Sequence, residues 1–248
     1  MAAPKSQLLT GLGKPFEVLR SLVNAVLNEG GSDEDVERLL SPDKVLAREV
    51  ARVIMSRTVE NTLPNLTFAI WQMVYEQMDG IDDVARGLLG LDLTPRPGLW
   101  VIPVLQGVAP NKVVAALRRL KVNVWSYIDD LDALVNENDR DPKDGSYVIY
   151  CRQTIEADEQ FKSLSVNELK TQGIKGLTLT ERLLIEPAYF LATDGHLDVQ
   201  NLTLCSGSRC PDGSVPNVYW HLGSREVYVR VWDPSYRFVP LCCREAIS

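Results

Sequence analysis

The stretch TLCSGSRCPDGSVPNVYWHLGSREVYVRVW, residues 203–232, brings strand pattern, turn chemistry and cysteines together in one place. Residues 218–220 and 227–232 are rich in β-branched and aromatic side chains. In the second run Val227, Val229 and Val231 alternate with Tyr228, Arg230 and Trp232, the period of a strand with two unlike faces. Between the runs, residues 221–225 (HLGSR) supply a short turn, so the pattern predicts a β-hairpin. Its valine face is expected to pack on a core, and its other face to carry an amphipathic row of Tyr228, Arg230 and Trp232. The preceding residues 205–213 (CSGSRCPDG) are too rich in Gly, Ser and Pro to be regular and follow a short strand at 202–205. That loop, with Ser206, Ser208 and Arg209, is expected to share a binding surface with the hairpin.

Working outward, residues 146–152 (SYVIYCR) read as a strand, as do 99–105, where Pro103 argues for an edge position, and 122–126. The helix expected at 111–120 lies between the last two, an order that permits a parallel pair. No glycine fingerprint accompanies it, so no dinucleotide cofactor is implied. Helices are also expected at 127–135, at 156–164, after the capping box Ser165–x–x–Glu168, and at 180–192, where Pro187 should force a kink or a restart. Before residue 94 the pattern is helical throughout: 16–27, 32–40, 41–57 and a strongly apolar segment from Pro64 to Gly80, with a further turn or two at 81–89. Thr94-Pro-Arg-Pro-Gly98 reads as a linker. The expected architecture is α+β: a helical module over 1–93, a linker at 94–98, and a mixed-sheet domain over 99–248 ending in the hairpin.

The bulk properties narrow the function. The chain has 248 residues, 45% of them hydrophobic, and a formal charge of −7 spread over both halves. Such a balance disfavours non-specific nucleic-acid binding. A DNA-reading role for the helix at 32–40 fails for the same reason, because Asp33, Glu34, Asp35 and Glu37 face Arg38 alone. With no apolar run near the ~18 residues of a membrane span and no continuous apolar leader, a cytoplasmic location is the default expectation. Five cysteines, an odd number in such a chain, are expected to be free thiols rather than a disulfide framework or a zinc site.

Several stretches, GGSDEDVERLLSP (30–42), YIDDLDALV (127–135) with DRDPKDGSYVIYCR (139–152), residues 157–184, and HLDVQNLTLCSGSRCPDGSVPNVYW (196–220), resemble a group of hypothetical bacterial proteins with no assigned activity. The resemblance spans most of the chain and implies neither catalytic residues nor a cofactor.

Three functional readings follow. The favoured one is non-catalytic: an interaction or ligand-binding protein that docks an unspecified protein or small ligand on Tyr228, Arg230, Trp232, Ser206, Ser208 and Arg209. A metal-assisted hydrolase would use Asp129, Asp130, Asp132, Asp139, Asp141 and Asp144. Counted as a calcium loop from Asp139, however, these place Lys143 at a ligand position. A nucleic-acid or anion binder would use the basic cluster Lys112, Arg118, Arg119 and Lys121 and would be weak. His196 and His221 are the only histidines that could serve a nucleophile, and no nucleophile motif accompanies them.

Overall fold

In the computed structural model the chain divides into two units, Met1–Thr62 and Leu63–Ser248. The structure describes the second unit, residues 63–248, and of the first only Ser32 and Glu34. The helices expected at 16–27 and 41–57, and all of that at 32–40 but Ser32 and Glu34, therefore lie outside the described residues. The 94–98 stretch lies inside the second unit. The Tyr150 hydroxyl donates to Thr94 O at 2.9 Å, Arg96 lies 3.9 Å over the Tyr150 ring, and Gln153 N donates to Gly98 O. The segment ends in a turn at Pro97–Gly98, closed by Leu99 N donating to Arg96 O, with Gly98 at a φ of 71°.

The described residues form an α+β fold. Helices α1 (Phe68–Tyr75) and α2 (Val84–Leu89) come first. There follow β1 (Leu99–Val104), α3 (Pro110–Arg119), β2 (Val124–Ser126), α4 (Leu131–Leu134), β3 (Glu137–Asn138) and β4 (Tyr147–Arg152). After a 3₁₀ turn at Glu159–Phe161 come α5 (Val166–Thr171), α6 (Leu179–Thr193), β5 (Leu202–Leu204), β6 (Ser208–Arg209), β7 (Val215–His221), β8 (Glu226–Trp232) and β9 (Leu241–Cys243). The strands make a mixed five-stranded sheet ordered β2-β8-β7-β5-β9 and two antiparallel ribbons, β1-β4 and β3-β6.

The β1–α3–β2 unit does not close on itself as its order permitted. β1 pairs antiparallel with β4, whereas β2 runs parallel to β8, with Trp125 opposite Tyr228. Pro103 suits the first choice, since it has no N–H to donate and β1 is paired on one side only. Its carbonyl instead accepts from the buried Tyr75 hydroxyl at 2.7 Å, and that hydroxyl accepts from Leu105 N. α1 is thereby fixed to the edge of β1, with Trp71, Val74 and Tyr75 fully buried.

Helix α6 is the hub. Every residue from Leu179 to Tyr189 is buried, and it packs against α1, α3, β1 and β7. Its start is a capping box, Thr178–x–x–Glu181, two residues before the expected start. Pro187 neither kinks off nor restarts the helix as a new element, because packing on every side outweighs one absent N–H. The expected helix at 156–164 is only the 3₁₀ turn, and that at 127–135 only α4. No helix among the described residues is long and apolar enough to cross a membrane.

Candidate functional site

The hairpin is β7 and β8 in register from Val215 opposite Trp232 to His221 opposite Glu226. Alternation gives the sheet two unlike faces. Val218, Val227 and Val229 enter the main core beneath α3 and α6. Val231, expected to join them, is exposed at the end of the strand. The opposite face collects Leu204, Val215, Leu241 and Cys243 into a second core, and toward the β2 edge it is aromatic.

That aromatic half is built by register. Trp125 on β2 lies beside Tyr228 on β8, and the rings stack with centroids 4.6 Å apart. Tyr127, 72% exposed, meets Trp125 edge-on at 4.4 Å, while Tyr219, opposite Tyr228 on β7, closes the row at 5.5 Å. The Arg230 guanidinium stands 5.3 Å from the Tyr228 ring centre, 5.5 Å from Trp125 and 5.7 Å from Tyr127. The quadrupole of each ring favours a cation at that distance. Arg230 has no carboxylate partner among the described residues, where its neighbours in the β-structure are aromatic.

Trp232, expected in the same row, belongs to another group. It stacks flat on Tyr236 at 4.6 Å and leans toward Phe238 at 6.4 Å, at the end of the strand that borders the second core. Nor is the 205–213 loop an open surface throughout, since only residues 211–213 are exposed. Ser208 is fully buried, donating to Asn138 Oδ1 and accepting from Leu179 N, and Ser206 Oγ lies 3.5 Å from Cys243 Sγ. Arg209 turns its Nη1 back onto the Ser206 and Ser208 carbonyls. The loop can sink because Gly207 lies directly on the 176–178 backbone, where a Cβ would stand 2.7 Å from Gly176 O. Ser206 and Arg209 still reach a cavity of about 360 Å³ that also borders Lys170 and Lys175. The expected surface is therefore two places, with Tyr228 and Arg230 in one, Ser206 and Arg209 in the other, Trp232 beyond the first and Ser208 interior.

The competing readings fare differently. Of the basic cluster, Lys112 donates to Gly80 O and Gly107 O, Arg119 to Gln77 O and Asp79, and Arg118 to Val124 O at 3.5 Å. These cations mainly tie α3 to neighbouring turns, and Lys121 sits exposed in a left-handed turn just after it. The acids cap and staple backbone. Asp130 accepts from Asn111 Nδ2 and from Asp132 N and Ala133 N, Asp132 from Asn111 N, and Asp141 from Lys143 N. The Asn111 amide and the two backbone N–H groups hold the Asp130 carboxyl below its usual range. Asp129, Asp139 and Asp144 are exposed, and among the described residues no group of three or more His, Cys, Asp or Glu is placed to hold a metal ion.

Sequence reasoning missed the buried charges. Arg182, Glu186, Asp198 and Arg244 are all essentially closed from solvent. Arg182 Nε bonds Asp198 Oδ2 at 2.8 Å and its Nη1 bonds Glu186 Oε2 at 2.9 Å, while Arg244 Nη2 bonds Asp198 Oδ1 at 2.7 Å. His196 places Nδ1 3.1 Å from Glu186 Oε1 and lies flat against Trp220. A second centre joins Arg140 to Glu181 by two bonds, with the Tyr147 hydroxyl donating to the same carboxylate. The one signal was that TERLLIE carries its charges on a helix whose apolar residues leave no clear solvent face. Neither histidine serves a thiol: His221 staples its own turn through Ser224, and burial raises Cys205, Cys210 and Cys243.

No family model matches the chain, and no significant similarity to a curated protein or to a solved structure was found.

Proposed function

We propose that this is a non-catalytic binding protein that docks an acidic segment of a partner protein on the sheet face carrying Tyr228 and Arg230. The observation that carries the reading is Arg230 itself. It is a cation held over three rings with no acid paired to it among the described residues, on a face whose Tyr127 is largely exposed. Trp, Tyr and Arg are the residue types that dominate binding energy at protein interfaces, and a stacked guanidinium loses little freedom when it takes a carboxylate. The net charge of −7 and the engagement of Lys112, Arg118 and Arg119 in local bonds favour this over nucleic acid. Five unpaired cysteines suit a reducing, cytoplasmic setting.

The test uses two pools of capped, fluorescent peptides, one rich in Asp and Glu with interspersed aliphatic residues, the other its Lys-rich counterpart. The acidic pool should bind the full chain in fluorescence polarisation, weaken with salt, and lose at least about tenfold in affinity for Arg230→Ala. Equal binding of both pools, or binding indifferent to Arg230→Ala, would reject the reading.

A further inference from the structure

Asn217 lies in β7 directly opposite Arg230, with its side chain on the same face of the sheet and no solvent exposure. Among the described residues neither Asn217 Nδ2 nor Oδ1 has a hydrogen-bond partner, and neither do the buried Arg230 Nε and, two residues further along β8, Trp232 Nε1. Four unpaired polar atoms thus gather within two residues of one cross-strand pair. Buried polar groups are nearly always satisfied, and an unpaired one in a strand interior lowers stability, so a cluster of them on one face calls for an explanation in function. The alternative apolar choice was structurally open, since Asn217 is flanked in register by Leu204 and by the stem of Arg230.

We infer that Asn217 is the recognition residue of this face, pairing with a main-chain amide of the docked segment while Arg230 Nε and Trp232 Nε1 donate to a carboxylate of the same segment. The inference rests on the docking reading above. Its chemistry follows from the donors and acceptors present. An asparagine side chain offers one acceptor and two donors, the complement of a peptide group, whereas guanidinium and indole offer donors only and suit an anion. A free anion would satisfy Arg230 and Trp232 but leave Asn217 Oδ1 unpaired. The occupant that satisfies all four atoms is therefore a peptide with an acidic side chain rather than a small carboxylate. Asn217 is closed from solvent and Arg230 stands opposite it, so the docked segment reaches the amide only when the Arg230 side chain moves aside toward its carboxylate.

The experiment compares the unsubstituted chain with Asn217→Leu, and with Asn217→Val as a smaller, strand-favouring control against overpacking. The probes are the capped acidic peptides and benzoate, a carboxylate with no peptide group. Binding is followed by polarisation and by the side-chain N–H signals of Trp232 and Arg230 in ¹H–¹⁵N spectra. At least one of the two substitutions should hold or raise Tm and weaken the peptides by tenfold or more, with the benzoate response unchanged. Undiminished peptide binding would overturn the role of Asn217, and so would a lower Tm in both variants, because it would mean that the amide is already satisfied within the fold. Loss of benzoate response in Asn217→Leu would reassign the residue to the anion. Insensitivity of the peptides to Arg230→Ala would instead bring down the docking reading itself, a separate result.

Discussion

Arg182 and Asp198 meet at 2.8 Å with both side chains entirely closed from solvent. The Asp198 carboxylate also accepts from Arg244 and from the Thr203 hydroxyl, so all its strong partners are internal. Removing one member of a buried ion pair leaves the other charged and unpaired, at a cost of roughly 3–5 kcal/mol. Asp198→Ala should therefore destabilise the described unit by about that amount, because the buried Arg244 guanidinium loses its carboxylate and Arg182 keeps only Glu186. Urea unfolding followed by tryptophan fluorescence measures it. A loss below about 1 kcal/mol would show that water reaches this centre.

The same residue sets a pH dependence. Burial by itself would raise the Asp198 carboxyl, but the Arg244 and Arg182 guanidiniums and the Thr203 hydroxyl outweigh it and hold the pKa below the ordinary carboxylate range. A carboxyl depressed in the folded state contributes stability that is fully present above its unfolded pKa of about 4 and is lost as pH falls toward the folded value. Asp158 has the opposite sign. Burial raises it despite the Glu245 N–H and the Arg152 guanidinium, so its contribution is present at low pH and is lost as pH rises through the folded pKa. Tm should drop more steeply between pH 5 and 3 in the wild-type chain, by about the usual carboxylate range, than in Asp198→Asn. Asp158→Asn should flatten the profile on the side above that range. Parallel profiles for all three proteins would remove both assignments.

How much of this was legible in the sequence depends on whether a feature is local. The β7–β8 hairpin, the Ser165 capping box and the 147–152 strand were read because alternation and capping are properties of a few adjacent residues. The pairing of β2 with β8 was not legible. Val124 and Val227 are about a hundred residues apart, and the helix between β1 and β2 suggested the nearer partner. The burial of residues 205–210 was hidden for a similar reason. Their Gly and Ser content signals a turn, and only Gly176, distant in sequence, shows that the same residues allow two backbones to touch. Tyr228 and Arg230 were named as a site from their alternation alone, but Trp125 and Tyr127, which make the arginine's platform, arrive only with the tertiary pairing. Buried charges on α6 escaped because charged residues are ordinarily read as a solvated face, and only their partners Asp198 and Arg140 reverse that.

Gly207 offers a test of the close approach. An added Cβ would lie 2.7 Å from Gly176 O and 3.1 Å from Leu177 C, and these are backbone atoms that cannot swing aside. Gly207 N also donates to Leu177 O, so displacement breaks a hydrogen bond as well. Gly207→Ala should cost on the order of 1–3 kcal/mol, the range for forcing extra volume into a packed site. Gly213→Ala, in the same loop, meets nothing within 4 Å and should cost only the strain of its left-handed φ of 84°. Thermal unfolding of the two variants compares space against conformation, and a smaller loss at Gly207 than at Gly213 would contradict the close approach.

The last prediction concerns the five cysteines, all buried and all unpaired. Burial pushes the Cys151 and Cys243 thiols up to about 12 and Cys242 to about 11, and the nearby Arg244 and the Ser206 hydroxyl offset this only in part for the first two. The thiolate is the reactive form, so at pH 8 these groups are both shielded and protonated. The native chain should react slowly with a thiol reagent, and the denatured chain should titrate five thiols, matching the five in the sequence. The sign of the linkage follows. A thiol raised in the folded state contributes stability that is complete below its unfolded pKa of about 8.5 and is lost as pH rises toward the folded value. Cys151→Val keeps a small apolar side chain in β4 and removes the ionisable group, so its unfolding midpoint should fall less than the wild type's between pH 8 and 11. Three thiols instead of five after denaturation would reveal a disulfide, and an alkaline profile unchanged by Cys151→Val would show that this thiol does not govern the loss of stability.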